Sequence, residues 1–396
     1  MNAGNSSILT INAGSSSIKI ALYEAGNKPV LLLSGNIEKI GYGNSILIIK
    51  QNDTKNNFSL NAGDFNSTTI ALIDWLQQQS WFSNVKAIGH RIVHGMHHTQ
   101  SEIITDDLLK ELNSIVEYDP DHLPSEIKLT ELIKKRYPQL MQVACFDTAF
   151  HTTIPAVAKM FAIPKKYFDE GVQRYGFHGI SYSYLMQQLQ KINSAEANGR
   201  IILAHLGNGA SIAAVKDDKC IDTSMGFTPA AGIVMSSRSG DIDPGVAWYL
   251  MKQGMNAKTF NDVINHESGL VGISGLSADM QTLLEKENEN KNAALAVDVF
   301  CYQIKKYIGA YIAALGGLDV LVFSGGIGEN ASEIRKRVCN GFEYMHIEID
   351  EALNNNHQQL ISTNNSKIKV YVIATNEELM IAKETFSIYT NKIDHS

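Results

Sequence analysis

Short apolar runs open the chain at Ile8–Ile11, Ile18–Leu22, Val30–Leu33 and Ile46–Ile49, and each reads as a strand. Helical periodicity takes over further on. Leu108, Leu109, Leu112, Ile115 and Val116 lie on one helix face behind a cap at Thr105, and Leu129, Leu132 and Ile133 mark a second helix. Gln142–Phe146, Val320–Phe323 and Ile368–Ile373 read as buried strands, and Ile201–Leu206 with Ser211–Val215 as a hairpin. Ala293–Leu315 is the most apolar helical stretch, but Asp298, Lys305 and Lys306 interrupt it, which predicts a buried core helix and not a membrane span. The Asn-rich stretches Glu285–Asn292, Asn354–Asn356 and Asn364–Asn365 read as surface loops. Strand runs followed by alternating helix and strand predict an α/β protein with a mixed sheet.

One pattern occurs twice. Ile11-Asn12-Ala13-Gly14-Ser15-Ser16-Ser17-Ile18 and Leu206-Gly207-Asn208-Gly209-Ala210-Ser211-Ile212 are each a small polar turn between two strands. One such turn is an ordinary hairpin. Two, each opening about half of the chain, predict a duplicated lobe. Glycine and serine let an anion approach backbone N–H groups closely, so both turns are candidate phosphate cradles.

Composition narrows the function. The 396 residues suffice for two lobes with separate cores. Lys and Arg number 34 against 41 Asp and Glu, a net charge of −7 that disfavours general binding to nucleic acid or an anionic membrane. Cys145, Cys220, Cys301 and Cys339 form no C-x-x-C pair, which argues against a disulfide scaffold or zinc ribbon and suits a cytosolic setting. The first ten residues lack the pattern of a signal peptide.

Candidate chemistry is spread along the chain. Asn12, Ser15, Ser17 and Lys19 crowd hydroxyls and an ammonium at the first turn, although no G-x-x-x-x-G-K-[ST] loop exists. Arg91, in Gly89-His90-Arg91-Ile92-Val93-His94-Gly95, suits bidentate contact with a carboxylate or phosphate. His94, His97 and His98 match no helical metal motif and have no Cys partner, so their spacing argues against a metal cluster. Asp147 ends a predicted strand, where ligands of open α/β sheets collect. Arg174–Gly179 sets His178 between aromatic residues and glycine, and Met225–Pro229 with Arg238–Pro244 belong to a long loop. Gly326-x-Gly328-x-x-Ala331 loosely matches a dinucleotide fingerprint, without a second β-α-β unit expected after it.

In their order and spacing, from Asn12 to Asn376-Glu377-Glu378-Leu379-Met380-Ile381-Ala382, these motifs resemble the acetate kinase family. The resemblance implies two duplicated actin-like (ribonuclease H-like) α/β lobes, mixed sheets flanked by helices, and an active-site cleft. It places the lobes at residues 1–150 with 377–396 and at 151–376. It also implies a homodimer and transfer of a phosphoryl group from ATP to a short-chain carboxylate, with Mg²⁺ (or Mn²⁺ as a substitute) and ADP as the other product. By the same resemblance, Arg91 and Arg238 grip the carboxylate and the phosphoryl group, His178 supports the transition state, and Asp147 is the essential acid. Asn12 and Glu377 lie near the metal. His205, Leu206, Gly207, Asn208 and Gly209, with Ser15, Ser17 and Lys19, bind phosphate. Gly325, Gly326, Ile327, Gly328 and Asn330, with Asp279, Met280 and Gln281, form the nucleotide site. Val93, Phe177, Pro229 and His122 line the acyl pocket.

An ionised carboxylate substrate needs no general base at neutral pH. Asp147 is therefore expected to orient an arginine or metal-bound water. The chain departs from the usual family pattern at Met96, at Asp121 where a pocket leucine is usual, at Ser236-Ser237, and at Gln281 where an arginine is common near adenine. Propionate or butyrate as acceptor and pyrophosphate as donor are the alternatives within the kinase class. Outside it stand a dinucleotide-dependent oxidoreductase and a non-catalytic actin-like nucleotide-binding protein.

Overall fold

The computed structural model describes residues 6–14, 17–41, 43 and 45–394. The chain forms two units, Met1–Ala149 with Asn376–Ser396, and Phe150–Thr375.

The first unit is built on β1 (Ser7–Ala13), β2 (Ile18–Glu24), β3 (Val30–Glu38), β4 (Ile46–Gln51), β5 (Thr54–Ser59), β6 (Val85–Ile92), β7 (Glu102–Ile103) and β8 (Met141–Phe146). They form one eight-stranded sheet in the order β5-β4-β3-β2-β1-β6-β8-β7. β1 runs antiparallel to β2 and parallel to β6, and β6 runs parallel to β8. Alternation along β1 divides its side chains between two cores. Leu9, Ile11 and Ala13 pack with Leu72, Ile73 and Leu76 of the helix Phe65–Gln77 and with Leu129 and Ile133 of the helix Leu123–Arg136. Ile8 packs on the other face with Ala382 of the C-terminal helix, Glu377–Asp394. Each buried Leu or Ile contributes about 1.5–3 kcal/mol relative to exposure. The C-terminal helix crosses β6 so closely that a Cβ at Gly89 would lie 2.5 Å from Ile381 Cγ2, which accounts for glycine there.

The second unit carries β9 (Arg200–Leu206), β10 (Ala210–Lys216), β11 (Lys219–Thr223), β12 (Val320–Ser324) and β13 (Lys369–Val372), in the order β11-β10-β9-β12-β13. Here β9 is antiparallel to β10 and parallel to β12, and β12 is parallel to β13. Strand for strand this repeats β3-β2-β1-β6-β8 of the first unit. The Asn-Gly-Ser echo therefore marks equivalent hairpins, β1–β2 and β9–β10. Ile201 and Leu203 of β9 pack with Tyr182, Leu185 and Leu189 of the helix Gly179–Ile192. The helix Lys291–Leu315 packs against β9 and β10 with Phe300, Ile304, Ile308 and Ile312 buried, as its pattern predicts. Among the described residues no helix is long and apolar enough to cross a membrane. All four cysteines are buried and free.

Two local expectations fail. Asn354 is not in a surface loop: it lies in the short helix Glu351–Asn355, fully buried, where its Oδ1 accepts from Arg335 Nε at 2.7 Å. Arg335 is itself fully buried, and a buried guanidinium needs such acceptors. The second departure is that β13 follows β12 in parallel, so a crossover does surround the Gly325–Asn330 turn.

Candidate active site

In the first unit, parallel pairing of β6 with β8 sets Arg91 beside Cys145 and brings Asp147 just past the strand end, where its N–H donates to Ile92 O at 3.0 Å. Arg91 donates from Nε (2.9 Å) and Nη2 (2.6 Å) to the same oxygen, Asp147 Oδ2. Asp147 Oδ1 is buried and has no hydrogen-bond partner among the described residues. Arg91 Nη1 also faces Glu126 Oε1 at 3.5 Å, and Glu126 Oε2 accepts from Val93 N at 2.8 Å. Glu377, first residue of the C-terminal helix, accepts from Asn12 Nδ2 at 3.0 Å.

This cluster is rich in negative charge. Burial disfavours a charged Arg91, yet the carboxylates of Asp147, Glu126 and Glu377 outweigh it and raise the guanidinium above its ordinary value. Burial pushes the Glu126 carboxyl up to about 8, against the opposing effects of Arg91 and the Val93 N–H. Burial, with Asp147 close by, pushes Glu377 up to about 7. Three carboxyl groups thus face one guanidinium, and an oxygen-rich set with an orphaned buried acceptor suits a hard divalent cation. Lys19 pairs across the hairpin with Asn12, but its ammonium is exposed and lies 3.9 Å from Glu378. Ser17 accepts a turn hydrogen bond from Gly14 N at 2.8 Å, while Ser15 lies outside the described residues. His122 begins the helix Leu123–Arg136 and shares a 2.9 Å hydrogen bond with Asp119. Asp121 beside it is half-buried.

In the second unit, Leu206 pairs with Ala210, and Gly207-Asn208-Gly209 turns the β9–β10 hairpin. Asn208 O accepts from Ser236 N at 3.1 Å, tying this turn to the loop that carries Arg238. His178 sits in the left-handed region (φ 61°) ahead of the helix Gly179–Ile192. Its Nδ1 shares a 2.8 Å hydrogen bond with Ser211 Oγ, and its ring stacks on His205 at 4.4 Å. His205 Nδ1 is held by Ser181 Oγ at 2.9 Å. A Cβ built at Gly209 would lie 3.2 Å from His178 Nε2 and 3.7 Å from Arg238 Nη1, so these three positions converge. Phe177 is almost completely buried and Pro229 half-buried in the same unit, whereas Val93 is buried in the first.

The turn after β12 is held from beneath. Gly325 has φ +77°, and a Cβ there would lie 2.6 Å from Leu206 O, so only glycine fits without strain. Glu329 Oε1 accepts from Gly325 N (2.9 Å) and Thr375 N (3.0 Å). Arg335 Nη1 donates to the Gly328 and Glu329 carbonyls at 2.8 and 2.9 Å. Above Gly326 the space is open, and Asn330 Nδ2 returns to Gly326 O at 2.9 Å. Ile327 lies within the same short helix, Gly325–Asn330. Asp279 caps the helix Met280–Lys286 by accepting from Thr282 N at 3.0 Å, Met280 is buried, and Gln281 donates to Glu285 at 3.0 Å.

Glu126, Ser181, Glu329 and Arg335 escape a reading of the sequence, and Ser211, although it stands in the repeated turn, gives no sign there of its bond to His178. Only packing within each unit brings Glu126 to Arg91, Ser181 to His205, and Glu329 and Arg335 to the turn after β12.

Comparison with known proteins places these features in a family. A model described as the Acetokinase family matches residues 7–383. The chain is 42% identical over 394 residues to an acetate kinase of Thermoanaerobacterium thermosaccharolyticum, covering 96% of this chain and 98% of that protein. It is 41% identical over 395 residues to an acetate kinase of Bacteroides thetaiotaomicron, covering 96% and 99%. Among solved structures, the Porphyromonas gingivalis acetate kinase superposes with a TM-score of 0.87 at 38% identity, covering 97% of this chain and 99% of that one. A propionate kinase from Francisella tularensis gives 0.91 at 38% identity, covering 97% and 100%.

Proposed function

The chain belongs to the acetokinase family and is a kinase of that family acting on acetate, and we propose that the residues described above divide the reversible, in-line transfer of the ATP γ-phosphoryl group to the carboxylate, giving acetyl phosphate and ADP. The observation that carries this division is the Arg91–Asp147 pair: both guanidinium donors meet Oδ2, while Oδ1 stays buried and unsatisfied.

Acetate reaches the site already ionised, so the barrier lies in joining two anions and spreading charge over the equatorial oxygens. Arg91 and Arg238 supply the cationic donors for that charge. Removing one preorganised donor of this kind costs about 10²–10³ in turnover. Asp147 fixes the Arg91 guanidinium through Oδ2 and abstracts no proton. His178, with Nδ1 tied to Ser211, directs Nε2 toward the Gly209 turn, where a hydrogen bond to a transferring phosphoryl oxygen supports the transition state. The Gly207 N–H closes the turn onto Gly209 O at 3.1 Å, the backbone N–H groups of Asn208 and Gly209 cradle phosphate, and the open ground above Gly326, with Asn330 and the Asp279–Gln281 segment, receives the nucleoside. Val93, Phe177 and Pro229 confine the methyl group.

The residues present fit Mg²⁺: Asp147 Oδ1, Glu377 and Asn12 are oxygen-bearing groups in a buried cluster with excess negative charge. When bound, the ion supplies charge neutralisation for the β- and γ-phosphates, and Mn²⁺ can substitute. A homodimer is part of the proposal, supported by the exposed apolar side chains Val246, Trp248, Tyr249 and Met251 along the helix Pro244–Lys252.

The test is hydroxylamine trapping of the acyl phosphate with purified protein, Mg²⁺ and ATP. Acetate should give signal, and propionate and butyrate in parallel rank the acyl pocket. Folded protein that traps nothing with any acceptor, with ATP or pyrophosphate as donor, overturns the assignment in favour of a non-catalytic nucleotide binder.

A further inference from the structure

A second cluster in the first unit has no part in phosphoryl transfer. The turn after β6 presents His97 and His98, β7 presents Glu102, and the helix Asp106–Ser114 presents Glu111. His98 Nδ1 lies 2.9 Å from Glu102 Oε1, and its Nε2 lies 3.2 Å from Glu111 Oε1. His97 Nδ1 turns to that same Glu111 oxygen at 3.6 Å. The three outward atoms, one from each of His97, His98 and Glu111, all lie within 4.8 Å of one another.

We propose that His97, His98 and Glu111 form a binding site for a divalent transition-metal ion of the zinc class, with Glu102 as the positioning residue behind His98. Three observations point this way. Ligand atoms bound to one tetrahedral zinc at about 2.0–2.2 Å stand about 3.3–3.5 Å apart, and the two distances to Glu111 Oε1 bracket that range. Glu102 Oε1 stands 2.9 Å from His98 Nδ1, placed to accept an N–H there when Nε2 holds an ion, which is the carboxylate–histidine arrangement that orients metal-bound imidazoles. Both ring nitrogens of His98 face carboxylate oxygens, so a neutral imidazole with its single N–H would leave one nitrogen lone pair against a carboxylate unless a positive charge stands there. That charge is a cation in this proposal, and a proton in the competing account. Two imidazoles and one carboxylate suit zinc, cobalt or nickel, whereas magnesium prefers an all-oxygen set.

The site is also placed to be filled. The His97 side chain is 76% exposed and that of Glu111 36%, so an ion reaches it from solvent and keeps at least one position for water. The His98 side chain is only 10% exposed and its ring lies flat on Phe146 (4.9 Å, 15°), the residue before Asp147. That packing holds one ligand still while the other two close on it. The spacing of the histidines hides this site, because the third ligand arrives from a helix thirteen residues beyond His98.

The test uses the full chain, stripped with a chelator and freed of nucleotide. Zn²⁺ is titrated calorimetrically and Co²⁺ by its visible absorption, for the wild type and for His97→Ala, Glu111→Gln and Glu102→Gln. The first two changes are at the surface and leave the core intact, which circular dichroism verifies. The expected result is one equivalent bound in the wild type, lost or weakened at least tenfold in His97→Ala and Glu111→Gln, and undisturbed by millimolar Mg²⁺. Glu102→Gln should keep the stoichiometry and weaken affinity about 10–100-fold. Equal binding by the wild type and Glu111→Gln would put the ion elsewhere and overturn the site. Absence of binding below about 1 mM, with His98 doubly protonated by NMR, would hand the position to the proton. Unchanged affinity in Glu102→Gln would overturn its positioning role.

Discussion

Arg91 spends two donors on one oxygen of Asp147 and leaves the other oxygen of that carboxylate buried with no hydrogen-bond partner among the described residues. A purely structural ion pair would be expected to use both oxygens, since the fork of a guanidinium matches a carboxylate in bidentate fashion. The one-sided geometry suits a carboxylate that holds its arginine and offers its free oxygen elsewhere. Asp147→Asn should therefore cut turnover by about 10²–10³, while acetyl phosphate formation in the wild type shows no pH limb that this substitution abolishes. Rate–pH profiles at saturating substrates check it, and a limb that vanishes in Asp147→Asn would mean that Asp147 acts as a base.

The pH limb that should exist belongs to Glu377. Its pKa is pushed up to about 7, so the carboxylate becomes protonated as pH falls through 7. Metal affinity should decline in the same window, with proton and cation competing for one group. Mn²⁺ titrations between pH 6 and 8, followed by water proton relaxation, should show weaker binding at the acid end, and Glu377→Gln should flatten the dependence. A profile unchanged in Glu377→Gln would separate this residue from the metal.

Arg91→Ala and Arg238→Ala should each lower turnover by about 10²–10³ and leave the nucleotide dissociation constant within about threefold. Parallel kinetics and nucleotide titrations make the comparison. Equal losses in both quantities would assign the arginines to the nucleotide or to the fold.

Ser211 Oγ shares hydrogen bonds with the Tyr182 hydroxyl and with His178, and only the second couples it to catalysis. Its Oγ holds His178 Nδ1 at 2.8 Å, so Ser211→Ala should lower kcat about tenfold in the wild type and have almost no effect in a His178→Ala background. Additive effects in this double-mutant cycle would make the serine independent of the histidine.

Gly325→Ala puts a Cβ 2.6 Å from Leu206 O at a positive φ. Such strain costs about 1–3 kcal/mol, and Tm and ATP affinity should both fall. Normal ATP affinity with a lowered Tm would show that the turn serves the fold alone.

Much of this protein is written along the chain. Apolar periodicity marks β1, β2, β9, β12 and the helix Lys291–Leu315, because alternation and helical spacing are local properties that burial then rewards. The two Asn-Gly-Ser turns announce a repeated unit, which the matching strand orders bear out. Arg91, Asp147, His178 and Arg238 stand in motifs distinctive enough, in their order, to carry the family resemblance. Tertiary structure decides the rest. Glu126 reads as one more polar residue of an amphipathic helix until the sheet brings Arg91 against it. Asn354 reads as loop until the buried Arg335 claims it. Glu111 meets His97 and His98 only when its helix settles over the turn after β6. Hydrogen bonds and ion pairs act over a few ångströms, and which distant residues come within that range is set by packing of the whole unit, a quantity no local pattern encodes.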